Sequence, residues 1–128
     1  MSIRDLTEIL NHLQSEVDLG NSTYTPLIFG GSFGGIRKKV ENFSTIHLTI
    51  RASSNVTVEV QHYTHGGSID LLDSYTILAN TGFHQVIPMK TKYYSILIIN
   101  TGANQTYLNV QTIISKYRDS SFQLTNVN

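Results

Sequence analysis

The sequence predicts an all-β protein: an antiparallel β-sandwich or jelly roll of about eight strands, preceded by an N-terminal amphipathic α-helix. Two observations lead to this fold class. From Asn21 onward, short segments of alternating apolar and polar residues repeat with turn signals between them. A helical apolar period occurs only before Asn21. The 128 residues, 40% of them hydrophobic, suit one domain, divided into the helix (1–20), the sandwich (21–117) and a polar tail (118–128).

The predicted helix runs from Ser2 to Asp18, and Gly20 suits its C-terminal cap. Its apolar side chains recur at alternating spacings of three and four and form one narrow seam, made of Ile3, Leu6, Leu10, Leu13 and Val17. Such a short helix is marginal alone. The seam either packs on its own domain, or binds further copies of the chain or another protein. In the second case these five residues are the oligomer- or partner-binding site.

Two hairpins are predicted in the β region. Tyr93–Ile99 is apolar on both faces, as in a central strand, and a turn joins it to a second strand from Gln105 to about Lys116. Phe43–Arg51 and Val56–Gln61 alternate cleanly and are predicted to pair as the other hairpin. The glycines around Phe33 indicate a bend in a sheet, because no Walker pattern follows them.

The composition excludes several function classes. Nine basic and nine acidic residues give a net charge of zero, and Arg37–Lys39 is the only basic run, so no nucleic-acid partner is predicted. The absence of cysteine removes disulfides and thiolate chemistry. The N-terminus lacks a signal-peptide pattern, and no apolar run approaches the roughly 20 residues that span a bilayer, so no membrane insertion is predicted.

No grouping of residues indicates catalysis, so the protein is predicted not to be an enzyme and to use no cofactor. His62 and His65 lie in a predicted loop, His62–Ser68, and with Tyr63 and Tyr107 they form a possible ligand loop. A metal would need a further ligand such as Asp70 or Asp73, so no metal site is predicted. A hydrolase would require these two aspartates to converge with His62.

A succession of segments between Asn21 and Lys116 has a characteristic order and spacing: Asn21–Leu27, Gly31–Gly35, Ile46–Ile50, Val56–Gln61, Gly82–His84, Tyr93–Tyr94, Asn100–Gly102, Gln105–Thr106 and Gln111–Thr112. In this order the chain resembles a small β-sandwich module of virus and bacteriophage structural proteins and related bacterial proteins. Such modules end the strand at Val56 with a serine-aspartate-glycine loop, whereas this chain has His62–Gly67 there.

The resemblance implies a non-enzymatic virion component, such as a minor capsid, fibre or tail part. Its partners would be other virion proteins and further copies of itself, and its location would be the virion. The alternative is a receptor- or glycan-binding head domain. That alternative predicts an exposed aromatic cluster among Tyr63, Tyr75 and Tyr107.

Overall fold

The computed structural model describes residues 15–40, 45–64 and 68–115. Within these ranges the chain forms strands and one short 3-10 turn at Leu19–Asn21, and no α-helix. The strands are β1 (Ser15–Val17), β2 (Ser32–Gly34), β3 (Lys38–Lys39), β4 (Thr45–Ala52), β5 (Val56–Tyr63), β6 (Leu71–Ile77), β7 (Phe83–Pro88), β8 (Tyr93–Asn100) and β9 (Leu108–Ser115).

The strands form two antiparallel sheets, here called sheet A and sheet B. Sheet A has the order β1-β9-β4-β7, and sheet B has the order β2-β8-β5-β6, with β3 also paired to β8. Inward-facing side chains of both sheets build one core, which includes Ile46, Leu48, Ile50, Val56, Val58, Val60, Ile96, Ile98, Val110 and Ile114. The predicted β-sandwich is therefore confirmed. Counting β2 and β3 as one interrupted strand leaves eight strands, the number in a jelly roll.

Strand β8 is central in sheet B, as its two apolar faces predicted. It lies between β5 on one side and β2 and β3 on the other. Tyr94, Ile96 and Ile98 are buried in the core, and Leu97 and Ile99 on the other face are half-buried. A strand with partners on both sides keeps its backbone groups hydrogen-bonded along both edges.

Both predicted hairpins are wrong. Strand β4 belongs to sheet A and β5 to sheet B, so the turn at Ser53–Asn55 crosses from one sheet to the other. The turn after Asn100 likewise carries the chain from β8 in sheet B to β9 in sheet A. Only β5 and β6, among the described strands, are neighbours both in sequence and in a sheet. Alternation identified the strands and their inner faces, but it contains no information about which sheet a strand joins.

The predicted helix is wrong at its C-terminal end. Ser15–Val17 forms β1, which pairs with β9 through Ser15 opposite Ser115 and Val17 opposite Ile113. Pairing with β9 gives these residues inter-strand hydrogen bonds that outweigh a weak helical preference. The remaining seam residues, Ile3, Leu6, Leu10 and Leu13, lie outside the described residues, as does the tail 118–128.

A buried polar bridge holds the 3-10 turn between the two sheets. Asn21 is fully buried, and its Oδ1 accepts a hydrogen bond of 2.8 Å from the N–H of Ile96 in sheet B. The backbone carbonyl of Asn21 accepts a 2.7 Å bond from the hydroxyl of Thr112 in sheet A. Its side-chain amide donates to the carbonyl of Ile36 at 2.8 Å. Asn21 thus connects β8 of sheet B to β9 of sheet A.

Asp18 extends this bridge with a buried carboxylate. Its Oδ2 accepts a 2.8 Å hydrogen bond from the side-chain amide of Asn21 and another from the hydroxyl of Tyr94. Burial, followed by the hydrogen bond and the negative charge of Asp18, raises the pKa of Tyr94 far above its ordinary value. The phenol therefore stays protonated and remains a donor, which is what a buried carboxylate needs.

Candidate functional site

Three of the most exposed large apolar side chains among the described residues lie on one loop at an end of the sandwich. The apolar loop, residues 24–31, precedes β2 and lies against the loop that joins β8 to β9. Tyr24, Ile28 and Phe29 on it are 62%, 70% and 69% exposed. Leu19 and Ile36, also exposed, lie in neighbouring segments that touch at Gly20. The large apolar side chains exposed to water on the apolar loop make it a candidate interaction surface.

The backbone of the apolar loop is fixed by side chains from the loop before β9. Gln105 both accepts from the N–H of Leu27 through its side chain and donates its own N–H to the carbonyl of Leu27, each at 2.9 Å. Asn104 accepts from the N–H of Phe29 at 2.8 Å. Gly30 has a φ of 76°, in the left-handed region that favours glycine. These hydrogen bonds therefore stabilise the loop backbone in the observed conformation.

Asn100 is the centre of this hydrogen-bonded support. It is 1% exposed, and its side-chain amide lies 3.1 and 2.9 Å from the carbonyls of Leu27 and Ile28 and 2.9 Å from that of Ala103. Its Oδ1 accepts a 2.6 Å bond from the hydroxyl of Ser54. Asn100 therefore connects the apolar loop to both turns that cross between the sheets.

The outer face of sheet A is a second candidate surface. Its register places Val17, Ile113, His47 and Val86 in one row across all four strands. Val17 and Val86 are 42% and 44% exposed. Arg51 is the only Lys, Arg, Asp or Glu among the outward-facing residues of these four described strands. A nearly uncharged sheet face has little electrostatic repulsion against another copy of itself.

Two histidines lie beside each other on that face. The ring centroids of His47 and His84 are 6.3 Å apart, with an interplanar angle of 33°. His47 Nε2 is 3.3 Å from the hydroxyl of Thr45, and His84 Nδ1 is 3.0 Å from that of Thr49. Burial, and secondarily the nearby His84, lowers the pKa of His47, so this imidazole is neutral at pH 7.

The predicted ligand loop is not formed as expected. His62 and Tyr63 belong to β5, so the predicted loop His62–Ser68 begins after them, and His65 lies outside the described residues. His62 is 1% exposed and faces the core, so it is not a surface ligand. Pairing with β8 extends β5 by these two residues beyond the sequence-based boundary, and His62 also pairs with Leu71 of β6.

His62 instead belongs to a charged cluster at the end of the sandwich opposite the apolar loop. Its Nε2 lies 2.9 Å from Asp73 Oδ2, and Lys90 Nζ lies 2.8 Å from both oxygens of Asp73. Burial raises the pKa of Asp73, but the hydrogen bonds from Lys90 and then His62 outweigh it and lower the pKa. Asp70 accepts hydrogen bonds of 2.6 Å from the hydroxyl and the N–H of Thr64, so its carboxylate holds the end of β5.

Asp73→Asn is expected to lower the free energy of unfolding at pH 7 by about 1–2 kcal/mol, because Lys90 and buried His62 lose a charged partner. The pKa of Asp73 is lowered by folding, so its contribution is present above the unfolded value of about 3.9 and is lost as the pH falls through the folded pKa. Urea titrations between about pH 2 and pH 7 check this.

Glu16→Gln is the control for that titration, since Glu16 has a 52% exposed side chain and only a 3.9 Å contact with Lys38. The Asp73 variant should show a flatter loss of stability in acid than the control. Equal pH dependence in both variants would contradict the role given to Asp73.

The predicted exposed aromatic cluster does not form. Tyr63 is 7% exposed, with the Arg37 guanidinium 4.2 Å from its ring centroid. Tyr75 packs on Phe83 at a centroid distance of 5.3 Å and is half-buried. Tyr107 is half-buried in the loop before β9. The three rings lie in three separate places, which removes the observation that the receptor- or glycan-binding alternative required.

No group of three or more His, Asp or Glu side chains suited to a metal ion occurs within residues 15–40, 45–64 and 68–115. No helix in those same ranges is long and apolar enough to cross a membrane.

Sequence reasoning gave Ile28 and Phe29 no functional role. Both follow Pro26, which reads as the start of a strand, and in a strand one of them would face the core. The available signal was the position of the apolar pair between a proline and the Gly30–Gly31 pair, which indicates a turn. Their exposure depends on Asn100 and Gln105, more than 70 residues away in sequence.

Comparisons with known proteins identify solved structures of similar fold. No family model and no curated protein matches the sequence. The PBSX exported protein XepA is similar in structure, with a TM-score of 0.69 and 10% identity over 79% of this chain and 36% of that chain. A structure of Bacillus endospore appendages, described as disulfide-linked pili, gives a TM-score of 0.54 and 9% identity over 79% of this chain and 85% of that chain.

This chain therefore spans about a third of XepA and most of the appendage chain. At such low identities the likeness shows the fold alone. The protein is a small two-sheet β-sandwich of the kind found in XepA and in the endospore appendage protein.

Proposed function

We propose that the protein is a non-enzymatic structural subunit, a minor capsid, fibre or tail component of a virion, that acts by assembly through surfaces of its β-sandwich. The observation that carries this proposal is the fixed display of exposed Ile28 and Phe29 on the apolar loop. The sandwich fold shared with XepA and with a pilus-forming appendage supports a role in an exported or extracellular assembly. The nearly uncharged outer face of sheet A supports contacts between subunits.

The energetics of the apolar loop favour binding to a partner protein. Full burial of an Ile or Phe side chain contributes about 1.5–3 kcal/mol. Because Asn100, Asn104 and Gln105 already order the loop backbone, binding loses little further conformational entropy there. In a mobile loop of the same composition, the loss of conformational entropy on binding would offset part of the free energy gained by burying these side chains.

The double variant Ile28→Ser/Phe29→Ser is expected to weaken self-association at least tenfold, as about 3 kcal/mol or more of apolar burial is lost. The two side chains are about 70% exposed, so thermal stability should change little. Light scattering over a range of protein concentrations measures the association, and a melting curve checks the fold.

Leu72→Ser is the matched control, because it also replaces an exposed apolar side chain with serine but lies away from the apolar loop. Leu72 is 50% exposed and lies on the outer face of sheet B. It should associate like the unmodified protein. If the unmodified chain is monomeric at every concentration, or if the double variant associates as well as the control, assembly through the apolar loop is refuted.

A further inference from the structure

The histidine pair on the outer face of sheet A has the chemistry of an incomplete metal site. Imidazole nitrogens are ligands of Zn²⁺, Cu²⁺ and Ni²⁺. Each ring uses one nitrogen with a threonine hydroxyl, which leaves Nδ1 of His47 and Nε2 of His84 without a partner among the described residues. Hydrogen bonds of this kind orient metal-binding histidines.

The spacing suits one ion held by both rings. His47 on β4 and His84 on β7 are diagonal neighbours, because His84 is opposite Thr49, two residues from His47. A bound zinc lies about 2.1 Å from each ligand nitrogen. The ring centroids are 6.3 Å apart, and both rings must turn about their side-chain torsions to bring the two free nitrogens to one ion.

The same face supplies no third ligand among the described residues. The outward residues of β1, β4, β7 and β9 include no Asp, Glu or Cys, and no further His. A structural zinc ion takes four ligands in a tetrahedron. Two histidines from one chain are half of that set, and a two-fold axis would supply the other half from identical residues.

We propose that His47 and His84 bind a divalent transition-metal ion of the zinc class together with the same two residues of a second copy, so that the ion joins two outer faces of sheet A. This inference rests on the proposed assembly function and names one interface for it. The row that contains His47 also presents Val17, Ile113 and Val86, which would add apolar contacts between the two faces. The near absence of charge on this face permits two copies to approach.

The experiment measures the mass of the full chain by light scattering while ZnCl₂ is added. We expect the mass to double at one zinc per two chains, with the stoichiometry read by titration calorimetry. EDTA should reverse the change, and so should a pH of about 5, because metal-bound imidazoles must be neutral. His47→Gln and His84→Gln should each weaken zinc binding at least tenfold. Thr49→Val, which removes the partner of His84, should weaken it about tenfold.

His65→Gln is the matched control, since it removes an imidazole that is not part of the proposed site and should leave zinc-dependent dimerisation intact. One zinc per chain without a change of mass would overturn the inference, as would unaltered binding by both His47→Gln and His84→Gln. Association that needs no zinc, is lost in Ile28→Ser/Phe29→Ser and shows no further increase in mass when zinc is added would overturn the metal site and keep the proposed function. Absence of any association, with or without zinc, would overturn both.

Discussion

Replacing Gly35 with alanine is expected to lower the free energy of unfolding by about 3–4 kcal/mol. A Cβ at this position would overlap Oδ1 of Asn21, and it would lie 2.8 Å from Asn21 Cγ and 3.1 Å from the carbonyl of Gly20. Asn21 is fully buried, so it has no empty space into which to move. Displacing it would leave the N–H of Ile96 without its acceptor.

Gly34→Ala is the matched control for that variant, because a Cβ there has nothing within 4 Å. The neighbouring substitution should be close to neutral. Thermal and urea denaturation measure the difference, which corresponds to a shift of about 10 °C or more in melting temperature. Similar melting of the two variants would show that the bridge at Asn21 contributes little.

The second large effect is expected from Asn100→Ala, which should cost about 3 kcal/mol of folding stability. The change removes the donor that serves the carbonyls of Leu27 and Ile28 and the acceptor of the Ser54 hydroxyl. These groups lie in a part-buried setting where water replaces the lost bonds poorly. Hydrogen exchange of the N–H groups in the apolar loop should accelerate more than exchange in the core strands.

Asn109→Ala provides the comparison for Asn100→Ala, since Asn109 is an exposed asparagine on β9. It should change stability by less than about 0.5 kcal/mol. Loss of self-association in Asn100→Ala beyond its loss of stability would connect the support of the loop to the proposed function. Unaltered exchange in residues 24–31 would contradict that support.

The sequence was sufficient to predict the sandwich and the position of β8, because alternation in strands reports directly on burial. It was not sufficient for pairing. The turn at Ser53–Asn55 has the length and composition of a hairpin, yet its strands join different sheets. A turn that crosses over the core and a turn that closes a hairpin use the same residue types. Which sheet β4 and β5 each join is therefore determined by pairing with distant strands such as β9.

The polar supports were equally hidden from sequence reasoning. Asn21 and Asn100 each precede or follow a turn, where asparagine is usually solvated. In the structure both are buried, and each has a hydrogen-bond partner more than 70 residues away: Ile96 for Asn21 and Leu27 for Asn100. The helix prediction failed because a local pattern was clear but a distant strand decided the structure. The seam up to Val17 has a helical period, but Ser15–Val17 pairs with β9 as a strand.

The division of neighbouring strands between two sheets has a consequence for synthesis of the protein. Strand β9 lies between β1 and β4, so sheet A lacks a central strand until residue 115 has left the ribosome. Contacts of such long sequence separation form slowly. The backbone of the apolar loop also lacks its hydrogen-bond partners until Asn100 and Gln105 have been synthesised. A nascent chain therefore cannot present a finished binding surface, which delays subunit association until the whole sandwich has formed.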